Sequence, residues 1–366
     1  MNKVPTKNAM AGSKPVQNPT KNWFLTNAGR RFTLGAAVVA GATTFCMHYI
    51  PNTFLLDKYK QFYQMFRGVS EVEVEPYIAK LGEEVMDKLG YHRNDKQLYR
   101  YFTAYGFDAL HLGSTFSKYG VLIGVPSNFY FKSKADIEYN NITVQGEPIK
   151  QKATPEDKDQ LLDSLILSDK AKQFALGVQI YEANTAEIFN QSVAPSASIV
   201  AYYALSTHFN QKLNGYARPV SYRAFMYTML GAFVTGMYYC LRDVSTHTME
   251  KQADRKVAKL GLEHAEGGVE YYSKILQRNK VLRRVMGSKG ESLFTVSGDV
   301  ESLVFTPHVP ITQRLIGCKK ILEELNANPG LAEVTKAPEK SSKRLSPLFM
   351  DSKTEEVQSE MKKLNK

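Results

Sequence analysis

The sequence predicts a mostly helical α+β membrane protein, with three transmembrane helices and a small β-sheet in the domain outside the bilayer. Three windows of the 366-residue chain are apolar and lack internal charge over about one bilayer crossing. Between and after them, apolar residues recur at helical spacing. Short β-branched and aromatic runs, broken by Pro, Asn and Gly, follow Gly120.

The first window, Phe32 to Ile50, has no charge and the Gly and Ala content that membrane helices tolerate. The second, 192–209, is shorter, contains Pro195 and ends in polar residues, so it is the marginal one. The third, 223–241, encloses AFMYTMLGAFVTGMYYC with tyrosines near its ends as interface anchors. Met226, Met229 and Met237 stand at near-helical spacing, as lipid-facing or packing residues do. The mean hydropathy of −0.32 averages these spans with polar segments, although 43% of residues are hydrophobic.

Charge sets the expected orientation. The net charge is +11, and no acid precedes Asp57, whereas Lys3, Lys7, Lys14, Lys21, Arg30 and Arg31 do. A basic, acid-free arm over residues 1–31 reads as a mitochondrial import signal. The connector 210–221 carries Lys212 and Arg218 without an acid. Both belong on the positive side, the matrix, which puts 51–191 and 242–320 in the intermembrane space. Residues 321–366, rich in Lys, Glu and Ser, predict a disordered tail. The basic residues form no nucleic-acid-reading motif, so no nucleic-acid partner is expected. Cys46, Cys240 and Cys318 lie too far apart for a CxxC or a thiolate metal site.

In the exposed domain, residues 57–67 read as helical, and 75–89 as a helix with Ile78, Leu81, Val85 and Leu89 on one face, closing at Gly90. Residues 121–125, 128–131 and 141–145 read as strands, with Pro126 marking an edge or a break. Ser168 followed by Asp169 starts a helix over 168–188. Two more helices, 245–262 and 268–282, flank a turn at Gly267 and Gly268. MGSKGES (286–292) lacks P-loop spacing and reads as a turn.

The order helix, membrane hairpin, helix bearing EKQADRKVAKLG (250–261) resembles integral-membrane zinc metallopeptidases. In those enzymes one helix supplies HExxH and a later one supplies ExxxD. The resemblance assigns Glu250 and Asp254 to the second element. It puts Val178 and Glu182 at the histidine positions and Gln179 at the general-base position. Valine cannot ligate, and an amide does not take a proton near neutral pH, so no metal, cofactor or catalytic residue is expected from this degenerate site. None of the seven histidines forms an HxxxH pair. The scaffold therefore reads as an inactive membrane metallopeptidase; a peptidase with atypical ligands is the alternative.

Several runs together resemble the transmembrane protein 177 family: IGVPSNF (123–129), LSDKAKQFAL (167–176), GGVEYYSKIL (267–276), NKVLRRVMGSKGESLFTVSGD (279–299) and HVPITQR (308–314). The resemblance implies a non-catalytic protein of the mitochondrial inner membrane that helps assemble cytochrome c oxidase. Its implied partners are that enzyme's subunit II and the subunit's membrane chaperone, near copper-delivery factors. Gly267, Gly268, Lys289 and Glu291 are the expected partner surface.

Overall fold

The computed structural model describes residues 26–138, 142–144, 147–148, 153–302 and 305–328, with Trp23 and Gly330. The helices are α1 (Asn27–Tyr49), α2 (Leu56–Lys60), α3 (Pro76–Lys88), α4 (Arg93–Lys96), α5 (Pro155–Leu165), α6 (Asp169–Ala183), α7 (Glu187–Lys212), α8 (Val220–Ala258), α9 (Leu262–Met286), α10 (Ser288–Leu293) and α11 (Ile311–Ala327). The strands are β1 (Phe66–Arg67), β2 (Ser70–Glu71), β3 (Tyr99–Ala104), β4 (Leu110–Gly113), β5 (Val121–Pro126), β6 (Thr143–Val144) and β7 (Glu147–Pro148). By internal contacts the chain divides at residues 46/47, 192/193 and 238/239 into a helical unit and a mixed unit.

The helical unit holds most of α1, α7 from Val193, and α8 up to Tyr238. Among the described residues two helices, α1 and α8, are long and apolar enough to cross a membrane, and only 6% of each apolar window is buried. Phe32, Val38 and Val39 of α1 and Phe225 and Phe233 of α8 are exposed, an arrangement suited to lipid rather than water. The third expected span does not reach that apolarity. Helix α7 has 26 residues and is about 39 Å long at 1.5 Å per residue, but Gln191, four serines and His208 dilute it. It nevertheless packs beside the other two helices. A Cβ on Gly41 would lie 3.3 Å from both the Ser196 carbonyl and Val200. Tyr202 donates to the Tyr227 carbonyl at 3.3 Å, and Asn210 Nδ2 donates to Tyr227 Oη at 2.5 Å. Ser198 and Thr207 bond back to carbonyls one turn earlier, which hides their polarity within the helix.

The mixed unit is built around α6. Ser168 caps it as predicted, its Oγ accepting from the Ala171 N–H. Ala171, Phe174, Ala175, Leu176, Val178 and Ile180 are all buried, so the helix is surrounded rather than amphipathic. Helices α3, α9 and the end of α8 pack on it. In α3 the expected stripe of Ile78, Leu81 and Val85 faces this core, with Pro76 in the first turn and Gly90 at φ +78° just past the end. The sheet order is β3-β5-β4, with β3 parallel and β4 antiparallel to β5. Every residue of β5 is buried, which explains its continuous apolar run.

Several expected elements differ. Pro126 is the last residue of the central strand, so of the two expected readings it marks a break and not an edge. Residues 127–130 form a 3-10 turn instead of a strand. Helix α2 stops at Lys60, and Phe66–Arg67 turns into a hairpin, because the 57–67 pattern is satisfied by packing on the sheet. Helix α6 ends at Ala183, and Glu187 already belongs to α7. The helix expected over 245–262 is the uninterrupted end of α8. Of 141–145, Thr143–Val144 pairs with Glu147–Pro148, while Asn141 and Gln145 lie outside the described residues. Helix α11 takes the first seven residues of the expected tail; residues 331–366 and most of the basic arm also lie outside.

A buried arginine-centred charge cluster

Glu250 and Asp254 stand one turn apart on α8, both buried and both turned toward α11 and the loop before it. The residue that meets them is Arg314 of α11. Its Nε donates to Asp254 Oδ2 at 2.7 Å and its Nη2 to Asp254 Oδ1 at 2.6 Å, a two-pronged bond that fixes the guanidinium plane. Nη1 lies 3.8 Å from Glu250 Oε2, and Nη2 lies 3.9 Å from Glu182 Oε1 on α6. Below it is the ring of Tyr272, 4.9 Å from the guanidinium carbon, whose hydroxyl donates to Asp254 Oδ1 at 2.6 Å. One arginine thus serves three carboxylates from two helices.

Each carboxylate has a further partner. Glu250 accepts from the Val309 N–H at 2.8 Å and lies 2.6 Å from His308 Nδ1. That contact raises the His308 pKa above its usual 6.5, although its side chain remains 74% exposed. Glu182 Oε2 accepts from Gln179 Nε2 at 3.3 Å, and Gln179 Oε1 is 2.9 Å from His111 Nδ1 on β4. Glu182 Oε1 has no hydrogen-bond partner among the described residues. Burial pushes the Glu182 pKa up to about 8, opposed in part by Arg314. Burial also disfavours the charge on Arg314, but Tyr272 and Asp254 hold its pKa well above the usual value. The cluster is a fixed cation with its counter-ions, not an open coordination sphere.

The structure therefore brings together Gln179, Glu182, Glu250 and Asp254, and leaves Val178 out, packed in the apolar core. No group of three or more His, Cys, Asp or Glu side chains among the described residues is arranged to hold a metal. Sequence reading missed Arg314, His308, His111 and Tyr272. Two of these lie in HVPITQR, but nothing local tells that an arginine 60 residues from its aspartate will be buried against it.

The expected partner surface divides in two. Lys289 and Glu291 are exposed on α10. Gly267 and Gly268 are not a turn and not a surface. They are buried inside α9, where a Cβ on Gly267 would fall 2.2 Å from the Lys170 carbonyl oxygen and one on Gly268 would fall 2.8 Å from the Phe174 ring. Their missing side chains let α9 cross α6 closely, which holds Tyr272 beneath Arg314.

The chain can be placed among known proteins by comparison. A transmembrane protein 177 of Mus musculus is 28% identical over 256 residues, 69% of this chain and 80% of the mouse protein. The Homo sapiens protein of that name is 27% identical over 258 residues, with 69% and 80% coverage. The Xenopus laevis protein is 29% identical over 249 residues, 65% of this chain and 77% of its own length. No solved structure matches, so the metallopeptidase resemblance gains no support from that side. The profile of the family described as transmembrane protein 177 matches residues 44–335, and the chain belongs to that family of membrane proteins.

Proposed function

We propose that this protein is a non-catalytic, chaperone-like assembly factor of the mitochondrial inner membrane. It stabilises newly made cytochrome c oxidase subunit II together with that subunit's membrane chaperone, near copper-delivery factors. The observation that carries the non-catalytic part is Arg314. It fills with a permanent positive charge the place where Glu182, Glu250 and Asp254 converge, so those carboxylates are committed to structure. The mitochondrial address rests on the basic arm, and the client on the family resemblance. In this reading α7 crosses the bilayer as the third span, shielded by α1 and α8. The N-terminus then faces the matrix and the C-terminus the intermembrane space.

Depletion from cells followed by pulse-labelling of mitochondrial translation tests it. Faster loss of subunit II and of its chaperone, with other subunits made normally, is the expected result; unchanged lifetimes of both would end the reading. Affinity capture from gently solubilised mitochondria should recover the same two proteins.

A further inference from the structure

The segment following α1 is apolar on two sides. Its inner side is explained by the fold: Leu56, Tyr59 and Tyr63 pack with Phe102, Leu112 and Leu122 on the sheet face opposite α6. Its outer side is not. Phe54, Phe62 and Val69 are 64%, 83% and 98% exposed, and Phe66 is also exposed. Val69 stands at the tip of the β1–β2 hairpin, whose two-residue loop begins with Gly68 at φ +67°. Glycine in that position is what a tight II′ turn requires. The turn therefore holds a bare isopropyl group outward on a defined scaffold. Transfer of such groups from water is favourable by about 25 cal/mol per Å² of apolar surface, and four exposed apolar side chains within one short segment of chain mark a contact surface.

We propose that this surface (Phe54, Phe62, Phe66 and Val69) seats in the interfacial layer of the same bilayer that α1 enters. Three observations choose a membrane over a protein partner. First, the tether is short: α1 ends at Tyr49, and the Thr53 and Leu55 N–H groups both bond back to the Ile50 carbonyl, which folds the chain close to the helix end. Five residues can reach no more than about 17 Å even fully extended, so Phe54 cannot leave the vicinity of the span. Second, the residues are aromatic and branched aliphatic groups of the kind that settle at the headgroup boundary. Third, two of the four acids between Asp57 and Glu75 are held in ion pairs, while Glu73 and Glu75 lead away from the hairpin toward α3. Asp57 pairs with Arg100 and Glu71 with Lys60, which leaves Lys58 and Arg67 without an acidic partner among the described residues, available to lipid phosphates. This inference uses only the membrane anchoring and does not depend on the assembly role.

The test uses the full-length protein with Cys46→Ser and Cys240→Ser, reconstituted into vesicles of phosphatidylcholine and phosphatidylglycerol without other proteins. A polarity-sensitive fluorophore is attached at Val69→Cys, and in a second preparation at Val296→Cys, another exposed site (79%) on the loop after α10. Lipids spin-labelled near the headgroup should quench the Val69→Cys probe severalfold more than the Val296→Cys probe, and aqueous iodide should do the reverse. Val69→Cys quenched by iodide as strongly as Val296→Cys overturns the proposal and leaves the surface to a protein partner. Phe62→Ser combined with Phe66→Ser, checked for native melting, should lower the lipid quenching at position 69; unchanged quenching would also count against it.

Discussion

The two units of this protein solve opposite problems with similar residues. In the helical unit, the apolar side chains of α1 and α8 point outward and only 6% of each window is buried. In the mixed unit, the apolar residues of α6 are buried on every side, the ionisable residues Glu182 and Asp254 are buried with them, and the Arg314 side chain is 12% exposed. Lipid rewards an apolar exterior with internally satisfied backbone. Water rewards an apolar interior, and admits a charge there only when it is paired and hydrogen-bonded. A single substitution should therefore have very different consequences in the two units.

The sharpest way to break this contrast is Arg314→Met. It leaves Asp254 and Glu250 buried without their cation, and removing one partner of such a cluster costs about 3–5 kcal/mol. Chemical unfolding of the detergent-solubilised protein should lose that much, whereas Val39→Ala in α1 should leave the same transition where it was. A transition unmoved by Arg314→Met would mean that water or lipid reaches the cluster.

The next contrast compares glycines. Gly267→Ala forces a methyl group against the Lys170 backbone, and overpacking of this kind costs about 1–3 kcal/mol. Gly35 of α1 has nothing within 4 Å of where a Cβ would be, so Gly35→Ala should be neutral or slightly stabilising. Thermal melts of the two variants side by side check this; equal effects would dissolve the distinction.

The most gradual effect is a pH slope. Glu182 holds its proton to about pH 8 in the folded protein against 4.5 ordinarily. Its contribution to stability is fully present below pH 4.5 and is lost as pH rises toward 8, by at most about 1.4 kcal/mol per pH unit. The melting temperature of Glu182→Gln should therefore fall less than that of the native protein between pH 6 and 8. Parallel curves would show that Glu182 is ionised throughout.

Much of the helical framework was legible in the sequence. The α3 stripe and the Ser168 cap are local patterns, and the structure keeps both. The strands β3 and β4 escaped because Tyr99–Ala104 is interrupted by the exposed Arg100 and Leu110–Gly113 has only four residues, and both settle into the sheet by pairing with β5. Gly267–Gly268 looked like a turn because glycine pairs usually are; only the approach of α6 makes them a crossing point.

By itself the sequence determined that α1 and α8 shun water, where α3 and α6 start, and that Val178 and Gln179 cannot serve as zinc ligand and base. These are properties of single residues and their near neighbours. Only the tertiary structure decided that Glu182, Glu250 and Asp254 meet around Arg314, and that Phe62 and Val69 face outward while Leu56 faces in. The physical reason is that burial and charge pairing join groups far apart in the chain, and no local pattern records which of them will meet.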